Sequence, residues 1–213
     1  MRVDIVSDAI CPWCFIGKRR FEKALADVPA GTIEVHWRPF QLNPDMPREG
    51  MDRAEYLRAK FGDASGGRRY DQIVDAGREE GIAFDFDAIK RTPSTLDAHR
   101  LIRYAAAQGQ QDVIVEALFR AYFTAGRNIG DAAVLAEVAG EAGLERDAVA
   151  AYLASETDID AVRAEDDFAR QVGIQGVPCF IFERKYAISG AQPPETFRQV
   201  IEKIQSGAVE AAS

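Results

Sequence analysis

Basic charge is in short supply: 26 Lys and Arg stand against 34 Asp and Glu, a formal net charge of −8. That balance excludes a general phosphate-backbone binder, whose affinity comes from clustered cations, so no nucleic-acid partner is expected. Long apolar runs are missing too, which leaves no segment fit to span a bilayer and no membrane partner. Asp4 and Asp8 break the N-terminal run before a signal-peptide core could form, so the expected location is the cytoplasm. Cysteine is scarce: three residues, with Cys11 and Cys14 together and Cys179 far away, do not make a secreted disulfide scaffold. An adjacent pair in a reducing compartment points instead to chemistry. What is present, 213 residues with 47% hydrophobic and 28% charged, suffices for a substantial core without staples.

Residues Arg2 to Ser7 form a short β-rich run ending at the turn-prone Ser7-Asp8. A helix is expected from Cys11 to about Val28, with Pro12 suited to its first position and Pro29-Ala30-Gly31 closing it. Thr32 to Phe40 alternates again, so the chain opens as a βαβ unit with parallel strands. Between Pro44 and Gly173 the pattern is helical, with helices expected near 52–62, 67–80, 94–108, 111–125, 131–142, 146–154 and 157–172 and little that reads as strand. Pro178 to Phe182 and Lys185 to Ser189 read as a tight hairpin around Glu183-Arg184, followed by a helix starting at Pro193-Pro194-Glu195 and a tail that frays from Gly207. The expected architecture is α/β: a thioredoxin-like domain (1–44 and 174–213) interrupted by a large all-helical insertion domain (45–173).

The strongest motif is Cys11-Pro12-Trp13-Cys14, a C-x-x-C after a strand and at the start of a helix within βαβ. Cys11 at the N-cap and Cys14 at the third helical position have capping-box spacing, which lets the sulfurs meet. The helix dipole and its unpaired N–H groups favour a Cys11 thiolate, and Cys14, further inside, would resolve the mixed disulfide. Two other readings stay open: inert packing, or part of a metal or iron–sulfur site with further ligands drawn from Cys179, His36 and His99. The preferred reading includes no metal. Pro178, in Gly176-Val177-Pro178-Cys179-Phe180, opens the third strand, faces the start of the first helix, and is either a turn proline or a cis bond.

Taken together, Val3 to Ser7, Asp8-x-x-Cys11-Pro12-Trp13-Cys14-Phe15-Ile16-Gly17, Trp37-Arg38-Pro39-Phe40-Gln41-Leu42-Asn43-Pro44, Gly176-Val177-Pro178 and Ser189-Gly190-Ala191-Gln192 resemble the cytosolic FrnE-like branch of the DsbA family over essentially the whole chain. The resemblance implies thiol–disulfide oxidoreductase activity, with Cys11 attacking and Cys14 resolving; oxidation, reduction and disulfide isomerisation all stay open as its direction. It implies a cis Val177-Pro178 bond whose neighbouring backbone holds substrate. The candidate substrate-contacting residues are Pro12, Trp13, Val177, Pro178 and His99. The cofactor is the cysteine pair itself, with glutathione as a candidate co-substrate and protein or small-molecule disulfides and thiols as partners. The chain is similar, in the same interrupted architecture, to 2-hydroxychromene-2-carboxylate isomerases and kappa-class glutathione transferases. Those enzymes carry serine in place of Cys11, and retention of both cysteines favours dithiol chemistry.

Cys179 departs from the small or apolar residue expected after that proline. It is either a buried hydrophobe or a redox-modulating third sulfur able to pair with Cys11. His99, flanked by Leu96 and Ile102 on an apolar helix stripe, is either a core histidine or a group that tunes the thiols or touches substrate. His36 reads as structural.

Overall fold

A computed structural model describes residues 1–62 and 68–207. The start of the helix expected over 67–80 and the tail beyond Gly207 lie outside these residues. Strand β1 (Arg2–Ser7) leads into helix α1 (Pro12–Leu25), then β2 (Glu34–Pro39), which pairs parallel with β1 in the register Val3 with Val35 and Ile5 with Trp37. Helix α1 stops three residues earlier than the periodicity predicts: Val28 N–H closes a turn on Leu25 O, and Pro29 cannot continue the ladder.

Among the described residues, seven helices lie between β2 and the last two strands in the chain: α2 (Arg53–Phe61), α3 (Arg68–Glu79), α4 (Leu96–Ala106), α5 (Gln111–Phe123), α6 (Ala132–Glu141), α7 (Arg146–Ala154) and α8 (Ile159–Gln171). This stretch is not all helical as predicted. Two-residue strands β3 (Met51–Asp52) and β4 (Arg91–Thr92) pair antiparallel, and runs this short carry no alternation to read. None of the described helices is long and apolar enough to cross a membrane.

Strand β5 (Cys179–Phe182) returns antiparallel to β1, β6 (Tyr186–Ser189) pairs with β5, and α9 (Pro194–Gln205) ends the fold, giving the sheet order β2-β1-β5-β6. The connection between β5 and β6 holds three residues, one more than predicted, with Glu183 and Arg184 both at positive φ. Phe180 and Phe182 point to the α1 and α9 side of the sheet, where Phe21 lies 5.3 Å from Phe180 and 5.3 Å from Phe197. On the other side of α1, Phe15 stacks on Phe119 of α5 at 5.1 Å. Thus α1 packs against both the sheet and the intervening helices.

Polar ties fix this junction. Gln111 satisfies the free edge of β2 as a strand would, accepting from Trp37 N–H (2.9 Å) and donating to Trp37 O (3.1 Å). Asp112 accepts from Trp37 Nε1 and pairs with the buried Lys18 of α1, each at 3.0 Å. Lys18 also pairs with Glu22, and this company keeps its ammonium charged despite burial: desolvation lowers its pKa, but the carboxylates raise it further. Asp4 on β1 takes Arg2 and Arg38, and Arg38 reaches Glu165 of α8.

The fully buried Arg100 of α4 spends its guanidinium on the turn after α7. It donates to Tyr152 O, Leu153 O, Ser155 O and Thr157 O, and pairs with Asp97 at 2.6 Å. Those carbonyls face a helix end whose own ladder has run out, so the arginine acts as a C-terminal cap from a neighbouring helix. Replacing it with lysine keeps the charge but loses the planar fork. Arg100→Lys is expected to lose about 3 kcal/mol of unfolding free energy, read by urea denaturation; a loss below a few tenths would show that the turn finds other donors.

Burial pushes the Asp4 carboxyl up, but the hydrogen bonds from Arg2 and Arg38 outweigh it and hold the carboxyl at about 2, against an ordinary 3.8. A group depressed in this way contributes stability above pH ~4 that is lost as pH falls through ~2. Because both arginines are part-exposed, the contribution is about 1–2 kcal/mol. In urea titrations from pH 6 to pH 2, wild type should lead Asp4→Asn by that amount at the top and converge with it at the bottom.

Candidate active site

Strand β1 ends at Ser7, and the turn Asp8-Ala9-Ile10 delivers the chain into α1 through a Cys11 N–H to Asp8 O bond of 3.0 Å. Cys11 takes the N-cap position with extended backbone, and Pro12, which has no N–H to lose, opens the first turn. The expected capping box does not form. No side chain caps α1; the Cys11 Sγ instead donates to Val177 O at 3.5 Å, 166 residues away in sequence. A sulfur is a weak acceptor for the helix N–H groups, and the Val177 carbonyl offers it an acceptor on the open side.

Cys14 is buried on the inner face of α1, beside Cys11, and all three cysteines are free thiols. Burial pushes the Cys14 thiol well above its ordinary value; the Cys11 sulfur next to it adds to the rise, and the Asp8 backbone N–H works against it. A thiol held in its protonated form waits as the second group to react rather than the first. Trp13, between them, turns outward and is 38% exposed.

The Val177–Pro178 bond is cis, and Pro178 lies against α1. Gly17 makes that approach workable: a Cβ there would sit 3.0 Å from Pro178 Cγ. The two ends of the chain therefore bring Cys11, Pro12, Cys14, Val177 and Pro178 together.

Cys179 falls elsewhere. It is the first residue of β5, and its side chain packs with Val6, Phe40 and Ala169, while its neighbour Phe180 packs with the α1 cluster that contains Cys11 and Cys14. Alternation along the strand sends consecutive side chains to opposite faces. Burial raises its thiol, as for a small core hydrophobe. Among the described residues, no group of three or more His, Cys, Asp or Glu is arranged to hold a metal ion, so the sites imagined from Cys179, His36 and His99 are not assembled.

His99 does approach the thiols' surroundings, through a residue the sequence reading passed over. Asp8 is completely buried; its Oδ2 accepts from Leu42 N–H at 2.7 Å, and its Oδ1 stands 3.4 Å from His99 Nε2. That contact is close enough for an ion pair but lacks hydrogen-bond geometry, and neither Oδ1 nor Nε2 has another partner. The available signal was an acid three residues before Cys11, directly after a strand, where a turn explains the residue type equally well.

A family model described as a DSBA-like thioredoxin domain matches residues 2–202. The chain is 36% identical to a probable DsbA oxidoreductase from Streptomyces coelicolor, whose crystal structure superposes with a TM-score of 0.87 over 100% of this chain and 92% of that one. It is 28% identical to the uncharacterized protein YwbO of Bacillus subtilis, over 94% of this chain and 96% of that one. The fold is shared more distantly with the cytosolic disulfide reductase DsbM from Pseudomonas aeruginosa, solved with GSH, at 17% identity and a TM-score of 0.71 over 97% of this chain and 100% of that one. With the C-x-x-C at the head of α1 and the cis-proline loop set against it, the match across nearly its full length makes this chain a member of the DSBA-like thioredoxin domain family.

Proposed function

We propose that the protein is a cytoplasmic thiol–disulfide oxidoreductase of the FrnE-like branch, with Cys11 as nucleophile and Cys14 as resolving thiol. The observation that carries this reading is the asymmetry of the pair. Cys11 sits at the head of α1 with its sulfur against the Val177 carbonyl, whereas Cys14 lies beside it, buried and held protonated. Thiolate attack on a substrate disulfide forms a Cys11 mixed disulfide and releases one thiolate. Cys14 then attacks Cys11 and displaces the second.

The Val177 O and Pro178 edge supplies backbone for a substrate strand or for the peptide-like body of glutathione, and the exposed Trp13 supplies apolar contact. Small thiols such as glutathione and protein disulfides are both compatible with that edge. The cysteine pair is the only redox group the cycle requires.

A glutathione redox titration, quenched with acid, alkylated and read by peptide mass, tests this. The expected result is one two-electron transition confined to Cys11 and Cys14, with Cys179 alkylated at every point only after denaturation. Absence of any Cys11–Cys14 disulfide across the accessible range would overturn the proposal. Glutathione-dependent turnover that survives Cys14→Ser would point to isomerase or transferase chemistry instead.

A further inference from the structure

Away from the thiols, a cavity of about 290 Å³ lies in the helical region, bounded by the first turn of α2, by Tyr70 of α3 and by the segment 86–90 that leads into β4. Cys11, Cys14, Val177 and Pro178 are not among its lining residues. The Arg53 N–H bonds Lys90 O at 2.9 Å, so the start of α2 and the approach to β4 form one wall.

The inner lining is apolar and aromatic. Leu57 and Ile89 are buried there, and Phe86 stacks on Tyr70 with ring centroids 4.3 Å apart and planes 9° apart. Phe84 stacks on Phe86 in turn at 5.1 Å, which makes a column of rings. The Arg53 guanidinium extends that column: it lies 5.8 Å from the Tyr70 ring and 5.8 Å from the Tyr56 ring.

Arg53 is the unusual member of this lining. It is the first residue of α2, at the helix end where the dipole favours an anion and disfavours a cation. Its Nη1 donates to Thr92 Oγ1 at 3.1 Å and its Nη2 to the Tyr70 hydroxyl, both neutral groups, and among the described residues no carboxylate pairs with it. Arg38 and Arg100, by contrast, each hold an acid. Asp52, its neighbour in the chain, is committed elsewhere, since its carboxylate accepts from Ala54 N–H and Glu55 N–H at 2.9 and 3.0 Å to cap α2. At the exposed rim Asp87 and Lys90 carry opposite charges. A guanidinium held by two rings and a hydroxyl is pre-organised, so an incoming anion need not order it.

We propose that this cavity is a binding site for a small organic carboxylate with a flat apolar body. Arg53 takes the carboxylate, and Tyr70, Phe86, Leu57 and Ile89 take the body. The planar fork of arginine matches a carboxylate through two parallel N–H···O bonds, and the helix end behind it adds to the attraction. The volume is close to the lower bound of ordinary small-molecule sites, about 300 Å³, which suits a body of one or two rings. The site is independent of the dithiol reading, and no bond is made or broken in it.

The probe is para-fluorobenzoate, followed by its fluorine NMR line width in the presence of the full-length protein. Wild type should broaden the line saturably at millimolar probe. Arg53→Gln should weaken binding about tenfold or more, and Arg53→Lys about fivefold, because lysine keeps the charge without the fork. Para-fluorobenzamide, which has the ring without the charge, and trifluoroacetate, which has the charge without the ring, should each bind about tenfold more weakly than the acid. Cys11→Ser, which disables the thiol site, should leave binding within about twofold. If Arg53→Gln does not fold, Arg53→Lys and the two analogues on wild type decide. No broadening, equal binding of acid and amide, or an Arg53→Gln variant that binds like wild type would overturn the site. Loss of binding in Cys11→Ser would place the probe at the thiols and overturn it as well.

Discussion

Strand β1 is paired on both sides, parallel to β2 and antiparallel to β5, and the chemistry of the molecule depends on that double pairing. The first pairing sets the direction in which the chain enters α1. The second brings back residue 177, after more than 160 intervening residues, to the point where α1 begins. Neither the head of a helix nor a proline loop is a reactive site alone. Cys11 joins the two: it takes the N-cap of α1, and its sulfur donates to the Val177 carbonyl.

The helices between β2 and β5 are held to this frame by both apolar and ionic contacts. Phe15 and Trp37 reach Phe119 of α5, and Lys18, Asp112 and Gln111 surround that contact with satisfied polar groups. Buried charge is tolerated there because each group has a partner in place before water is excluded. Asp8 and His99 differ from this pattern. They are as buried as Lys18 and Arg100, yet two of their atoms face each other without a bond.

The order of elements was legible along the chain because each carries its own local signal. Pro12 and Pro194 open helices, Gly62 closes one at positive φ, and alternation marks β1 and β2. The errors share a cause as well. The strands β3 and β4 are too short to show a period. The side-chain cap on α1 failed because Cys11 found an acceptor in Val177, and spacing within a helix says nothing about what a distant loop offers.

Composition, hydrophobic period and the C-P-W-C spacing determined the class of fold and set two cysteines at the head of α1, since these rest on interactions a few residues apart. Long-range pairing decided the rest. Alternation on β5 sent Cys179 to the Val6 and Phe40 face, away from the thiols its sequence position suggests. Packing of α4 beside β2 brought His99 to Asp8 in the turn after β1, a contact across 91 positions that no local pattern encodes. Sequence distance and spatial distance part company wherever strands far apart in the chain pair, as β1 and β5 do beside the head of α1.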